Sequence, residues 1–158
     1  MLIIDASGGV LTRARHATES ATNKQLNIVE HLQFDSTIDN PFYYDDPWAT
    51  PDNDASGYVL AGLSRASDLA LDFSKPEKPI PVIVWYSRRA LGSAEVKGES
   101  HKTWEKRVIF ADDGYKLRSA SSAVMIGINP DENQGKKQAW LFVTGFASAA
   151  MVATRVDL

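Results

Sequence analysis

Two short stretches of this 158-residue chain interleave basic and aromatic side chains: Trp85-Tyr86-Ser87-Arg88-Arg89 and Lys102-Thr103-Trp104-Glu105-Lys106-Arg107. Single-stranded nucleic acid is bound by this mixture, because aromatic rings stack on bases while guanidinium and ammonium groups follow the phosphates. Trp85, Arg88, Arg89, Lys102, Trp104, Lys106 and Arg107 are therefore candidate nucleic-acid contacts. Two features oppose that reading. Trp85 alternates with Val84 inside an apolar run, as a core residue does, and the chain carries a net charge of −3 where a basic domain is expected.

The segment Asp52-Asn53-Asp54-Ala55-Ser56-Gly57-Tyr58-Val59 has the donor spacing of half a calcium loop. Asp52, Asp54 and Ser56 supply oxygens at the first, third and fifth positions, and Gly57 permits a sharp turn at the sixth. The twelfth position is Leu63 rather than a bidentate carboxylate, and no helical pattern flanks the segment. Asp, Asn and Ser at this density also form ordinary turns by accepting from their own amides. The pairs Asp45-Asp46 and Asp112-Asp113 place two carboxylates side by side, as acid–base work requires, but adjacent strand residues point oppositely and Asp113-Gly114 reads as a turn. His16, His31 and His101 are far apart and flanked by polar residues. The chain has no phosphate-cradling, dinucleotide, nucleophile-elbow or zinc-protease motif. With no cysteine, it also has no thiolate nucleophile, thiolate metal site or disulfide. No catalytic residue and no cofactor is expected.

The elements that must position these residues read as strands. Met1–Asp5 is apolar and β-branched, Ser7-Gly8-Gly9 turns the chain, and Val10-Leu11 continues it. Residues 14–23 lack periodicity, so residues 1–25 read as an extended N-terminal arm. Leu26–Phe34 reads as a strand, with a helical stripe as the alternative. Residues 35–57, rich in Asp, Asn, Pro and aromatics, read as one long loop, because Pro41, Pro47 and Pro51 interrupt any ladder. Phe42, Tyr43, Tyr44 and Trp48 in that loop carry too much aromatic surface to remain uncovered, and they are candidate assembly contacts. Tyr58–Leu63 follows as a strand. Leu69, Leu71 and Phe73 alternate as on a strand, although Leu63, Ala66, Ala70 and Phe73 also fall at helical spacing. Ile80–Tyr86, apolar on both faces, reads as a central strand. Trp104, Val108 and Phe110 on one side, a turn at Asp112-Asp113-Gly114 and a return through Tyr115–Arg118 predict a hairpin. Ala123–Ile128 and Ala139–Phe146 predict a second pair, and Met151–Val156 a last strand.

Eight to ten short strands without strand–helix alternation predict a mostly β fold: an antiparallel sandwich, jelly roll or barrel, in one domain over residues 1–158. Charge is unevenly distributed. Residues 1–74 hold four Lys/Arg against eleven Asp/Glu, and residues 75–140 hold twelve against eight. Opposed charge along the chain suits attraction within the molecule or between copies in an assembly, with two solvated surfaces of one domain as the plainer reading. Composition and pattern together predict a non-enzymatic structural subunit, such as a virion capsid, decoration or tail component, that forms homo-oligomers or joins other subunits. Single-stranded nucleic-acid binding is the alternative and an enzyme of unrecognised type the third. The start Met1-Leu2-Ile3-Ile4-Asp5 lacks the basic and apolar regions of a signal peptide, and residues 138–154 are too short and polar to span a bilayer. A cytoplasmic or virion location, off the membrane, is the expectation.

Overall fold

A computed structural model describes residues 1–16, 26–90 and 104–158. The chain runs β1 (Leu2–Asp5), β2 (Val10–His16), β3 (Leu26–Gln33), β4 (Asp39–Tyr44), β5 (Gly57–Leu63), α1 (Ala66–Asp72), β6 (Val82–Arg89), β7 (Trp104–Asp112), β8 (Ala120–Ile128), β9 (Gln138–Gly145) and β10 (Val152–Asp157). The fold is mostly β. Among the described residues every pairing is antiparallel, and the strands form three open sheets ordered β1-β2-β3, β4-β5-β6-β7 and β10-β9-β8, with no closed barrel.

The sheets stack with the four-stranded sheet in the middle. Val59, Ala61, Val82, Val84 and Tyr86 on one of its faces pack with Ala123, Met125, Leu141 and Val143 of the β8–β10 sheet. Tyr58 and Leu60 on its other face pack with Leu11 and Leu32 of the β1–β3 sheet, and Trp85 and Trp104 join them. This explains why β5 is apolar without alternation: all seven of its residues are buried, with β4 and β6 at its edges and a sheet over each face. Gly62 is required there, because a Cβ at that position would lie 1.9 Å from the Thr37 carbonyl oxygen.

Several expectations are corrected. The long loop is not continuous, since β4 lies inside it and pairs with β5. Pro41 is accommodated because β4 is an edge strand whose register breaks between Asp39 and Phe42, so no ladder amide is missing where Pro sits. Of the N-terminal arm, residues 1–16 are β1 and β2, an integral hairpin that continues into β3; residues 17–25 lie outside the described residues. The Leu69-Leu71-Phe73 alternation belongs to helix α1 and its end. Leu71 is 67% exposed, no strand lies beside the segment, and its Ala, Leu and Asp residues include no β-branched side chain. The hairpin partner of β7 is β6, not Tyr115–Arg118. After β7 the chain turns sharply, with the Asp112 carboxylate accepting the amides of Gly114 at 2.9 Å and of Lys116 and Leu117 at 3.2 Å. A bulge opposite Val84 and Trp85 leaves Ile109 unpaired, so Val108 and Phe110 face opposite sides of the sheet instead of sharing one. The expected pair β8–β9, the last strand β10 and the central position of β6 match the structure.

Candidate assembly face

The β8–β10 sheet is an outer layer, so alternation along each strand sends one set of side chains into the core and the other to solvent. Ala123 and Met125 of β8, Ala139, Leu141 and Val143 of β9, and Val156 of β10 are buried. The outward set is also apolar. Val124, Phe142 and Ala153 sit opposite one another in one row, and Ile126, Trp140 and Arg155 in the next. Val124 is 39%, Ile126 59% and Trp140 37% exposed. The Arg155 guanidinium carbon lies over the Trp140 ring, 4.9 Å from its centroid. Ser122 and Thr144 border the rows at one end; Gln138 and Asp157, joined by a 2.7 Å hydrogen bond, border them at the other.

An antiparallel sheet with one face on the core normally turns polar side chains outward. The two outward rows of this sheet carry five apolar side chains and one charge. The sequence marks the stretch from Gln138 onward as uncharged but does not single out the residues of this face. The signal was present, since Ala139-Trp140-Leu141-Phe142-Val143 is apolar at every position, the pattern of a strand covered on both sides.

The four aromatics predicted to form an assembly contact are mostly used within the fold. Tyr44 is buried, Phe42 packs on the core between the second and third sheets, and the Trp48 ring lies against Gly127 of β8. Tyr43 alone is exposed, with its ring edge-on to Tyr58 at 5.2 Å.

The basic and aromatic residues predicted to contact nucleic acid are divided between two faces. Trp85, Arg89, Trp104 and Lys106 lie on the face toward the β1–β3 sheet, while Arg88 and Arg107 share the opposite face with Tyr86. Lys102 lies outside the described residues. Both indoles are engaged: Trp85 Nε1 donates to Ser36 Oγ at 2.8 Å, and Trp104 Nε1 donates to Glu30, which also pairs with Arg13. Arg89 stacks on Trp104, Arg107 on Tyr86, and Arg88 pairs with Glu105 at 3.1 Å. Lys106 donates to the Gln33 carbonyl at 2.6 Å.

The half calcium loop is a turn bonded to its own surroundings. Asp54 accepts the Ser56 amide at 2.8 Å, and Ser56 Oγ accepts the Asp46 amide at 3.0 Å. Among the described residues, no three His, Cys, Asp or Glu side chains are gathered as a metal site. Asp52 is exposed at the turn, and Leu63, the missing twelfth ligand, is buried at the end of β5.

The acid pairs separate as alternation requires. Asp45 is exposed, whereas Asp46 is buried, ion-paired to Lys137 at 2.5 Å, and accepts the amides of Trp48 at 3.0 Å and Ala55 at 3.1 Å. Burial pushes the Asp46 carboxyl up, but the Lys137 ammonium and the two amides pull it further down, to a net value below the usual one. Beside it, burial and the charges of Asp46 and Asp45 push the Tyr44 hydroxyl up to about 12. Burial also raises Tyr86, whose hydroxyl donates to the Ala55 carbonyl. Shifted groups mark catalytic sites when they face a cleft. Asp46 and Tyr86 instead fasten residues 45–56 to β9 and β6 through Lys137 and the Ala55 carbonyl, and the buried Tyr44 hydroxyl has no hydrogen-bond partner among the described residues. His31 accepts or donates one bond with Thr12 Oγ1 at 2.9 Å on the outer face of the first sheet; His101 lies outside the described residues.

No family model, curated protein or solved structure matches the chain. Among the described residues, no helix is long and apolar enough to cross a membrane.

Proposed function

We propose that this chain is a non-enzymatic structural subunit of a larger assembly, such as the shell or tail of a virion. It acts by packing its outer β8–β9–β10 face against a neighbouring subunit. One observation carries the reading: the two outward rows Val124-Phe142-Ala153 and Ile126-Trp140-Arg155 leave contiguous apolar side chains in water on the outer face of the β8–β10 sheet. Contiguous exposed apolar surface of this kind marks an interface. Its composition fits one as well, because Trp and Arg are enriched at interfaces whereas Lys and Glu, both missing from the outward positions of these strands, are depleted. Asp46 and Tyr86 support the non-enzymatic part of the reading, since Asp46 is held by Lys137 and two amides and the Tyr86 hydroxyl by the Ala55 carbonyl.

Sedimentation velocity over a concentration series tests it. The wild-type chain is expected to associate reversibly as concentration rises, and Ile126→Glu to shift that association to at least tenfold higher concentration while leaving the β circular-dichroism spectrum unchanged. A wild-type chain that stays monomeric at several hundred micromolar, alone and with its co-purifying subunits, removes the proposal.

A further inference from the structure

We infer that the cavity at the Arg88 end of the β6–β7 pair is an anion site, and that it takes the phosphoryl group of a small phosphate ester. It lies apart from the outer β8–β9–β10 face and does not depend on the assembly reading. Two cross-strand rows build it. Tyr86 sits opposite Arg107 and Arg88 opposite Glu105, all four on the side of the central sheet that faces the β8–β10 sheet. With Lys106 they line a cavity of about 310 Å³, at the small end of the range for ligand pockets.

Positive charge outweighs negative in this cavity. The Lys106 ammonium is drawn away to the Gln33 carbonyl and the Phe34 ring, which leaves Arg88 and Arg107 against one carboxylate, Glu105. Arg88 commits its Nε to Glu105 at 3.1 Å. Arg107 gives one Nη to the Asp157 carbonyl and lies over the Tyr86 ring, 5.4 Å from its centroid. A guanidinium has five N–H donors, so each arginine keeps four that no group among the described residues accepts. The field of both reaches the interior: burial raises the Tyr86 hydroxyl, and Arg88 and Arg107 are the two charges that pull it back.

Those donors select the ligand. A carboxylate has two oxygens in one plane and is satisfied by a single guanidinium fork. Two guanidiniums rising from neighbouring strands approach from different directions, which suits the tetrahedral oxygens of a phosphoryl group. A monoester dianion also balances both charges once it displaces Glu105, whose side chain is 55% exposed and can turn to water. The Tyr86 ring is buried and covered by Arg107, so no base can stack on it, which disfavours single-stranded nucleic acid as the source of the phosphate.

Arginine Nε–H NMR, with inorganic phosphate titrated at constant ionic strength, tests the site. The Arg88 and Arg107 signals are expected to shift along one saturable curve while exposed Arg65 stays fixed, and acetate is expected to bind at least fivefold more weakly. Arg107→Gln is expected to weaken phosphate binding about tenfold, the loss of one charge-assisted contact. Glu105→Gln is expected to tighten it at least threefold, because the competing carboxylate is gone; a Glu105 that only braces the fold would not have this effect. Should Arg107→Gln disturb the fold, Arg88→Gln, which keeps the contact with Tyr86, is expected to give the same loss. Shifts that are absent, that rise without saturation or that appear equally at Arg65 overturn the site. Equal affinity for acetate overturns the phosphoryl assignment, and an oligothymidylate that binds more tightly than phosphate and also moves Arg65 overturns the small-molecule assignment in favour of nucleic acid.

Discussion

Arg155 lies over the indole of Trp140, its guanidinium carbon 4.9 Å from the ring centroid, on the solvent side of the β9–β10 pair. The only charge in the two outward apolar rows is thus placed over an aromatic ring. An exposed cation–π contact contributes ~0.5–1 kcal/mol. Arg155→Ala is expected to lower monomer stability by no more than that, measured by urea denaturation, and to leave self-association in place or strengthen it. Arg155→Glu, which puts an anion over a negative ring face, is expected to weaken association at least fivefold.

Asp46 and Lys137 make the ion pair that fastens the residues following β4 to the start of β9. The pair is buried on the carboxylate side, so removing one partner strands the other. Asp46→Asn is expected to cost about 3 kcal/mol, the scale for breaking a buried pair. Asp46→Asn combined with Lys137→Met is expected to recover at least half of that, since the unpaired ammonium is then gone. Equilibrium urea unfolding of the two variants measures both values.

The same contact sets an acid limit. The Asp46 carboxyl is held below its ordinary 3.8 by Lys137 and the amides of Ala55 and Trp48, despite burial that opposes them. A group depressed in the folded state adds stability above its unfolded pKa and loses it as pH falls through the folded value. Stability is therefore expected to fall as pH drops below about 4, and the fall is expected to be smaller in Asp46→Asn.

Tyr44 and Tyr86 set an alkaline limit with the opposite sign. Burial raises both above 10, Tyr44 to about 12, so the folded chain holds their protons more tightly than the unfolded chain does. The stability this adds is present below pH 10 and declines as pH rises past it. Absorbance at 295 nm is expected to show Tyr44 and Tyr86 ionising only as the fold is lost.

Gly62 is a further stability test. A Cβ there meets the Thr37 carbonyl oxygen and carbon in the middle of the stack, whereas one at Gly135, on an open loop, meets nothing within 4 Å. Gly62→Ala is expected to destabilise by ~2 kcal/mol or more through overpacking. Gly135→Ala is expected to cost only ~1 kcal/mol, from its φ of +76°. Thermal melts of the two variants rank them.

Strand content and the C-terminal pairing were legible because β8, β9 and β10 keep regular spacing between clear turn residues, and Ile80–Tyr86 has the two-sided apolarity of a central strand. The β4 strand was hidden by Pro41, which reads as a breaker unless the strand is known to be an edge with a register break. Helix α1 was hidden because Leu69, Leu71 and Phe73 fit both periods. The side-chain faces of β7 were misread because the bulge at Ile109 reverses them, and a bulge leaves no mark on composition. The candidate face was obscured by the same ambiguity in β9: apolar residues at every position describe a buried strand and an outer strand with a sticky face equally well. The layer order decides between them, and that order depends on contacts between segments distant in the chain.

The central claim is that Val124 and Ile126 are covered when molecules meet. Methyl NMR of selectively labelled Ile, Leu and Val across a dilution series tests it without a probe or a mutation. The Val124 and Ile126 methyls are expected to shift or broaden with rising concentration while those of Ile28 and Leu71, more exposed and on other surfaces, stay fixed. Unchanged Val124 and Ile126 signals up to millimolar concentration, or changes confined to Ile28 or Leu71, would contradict the account.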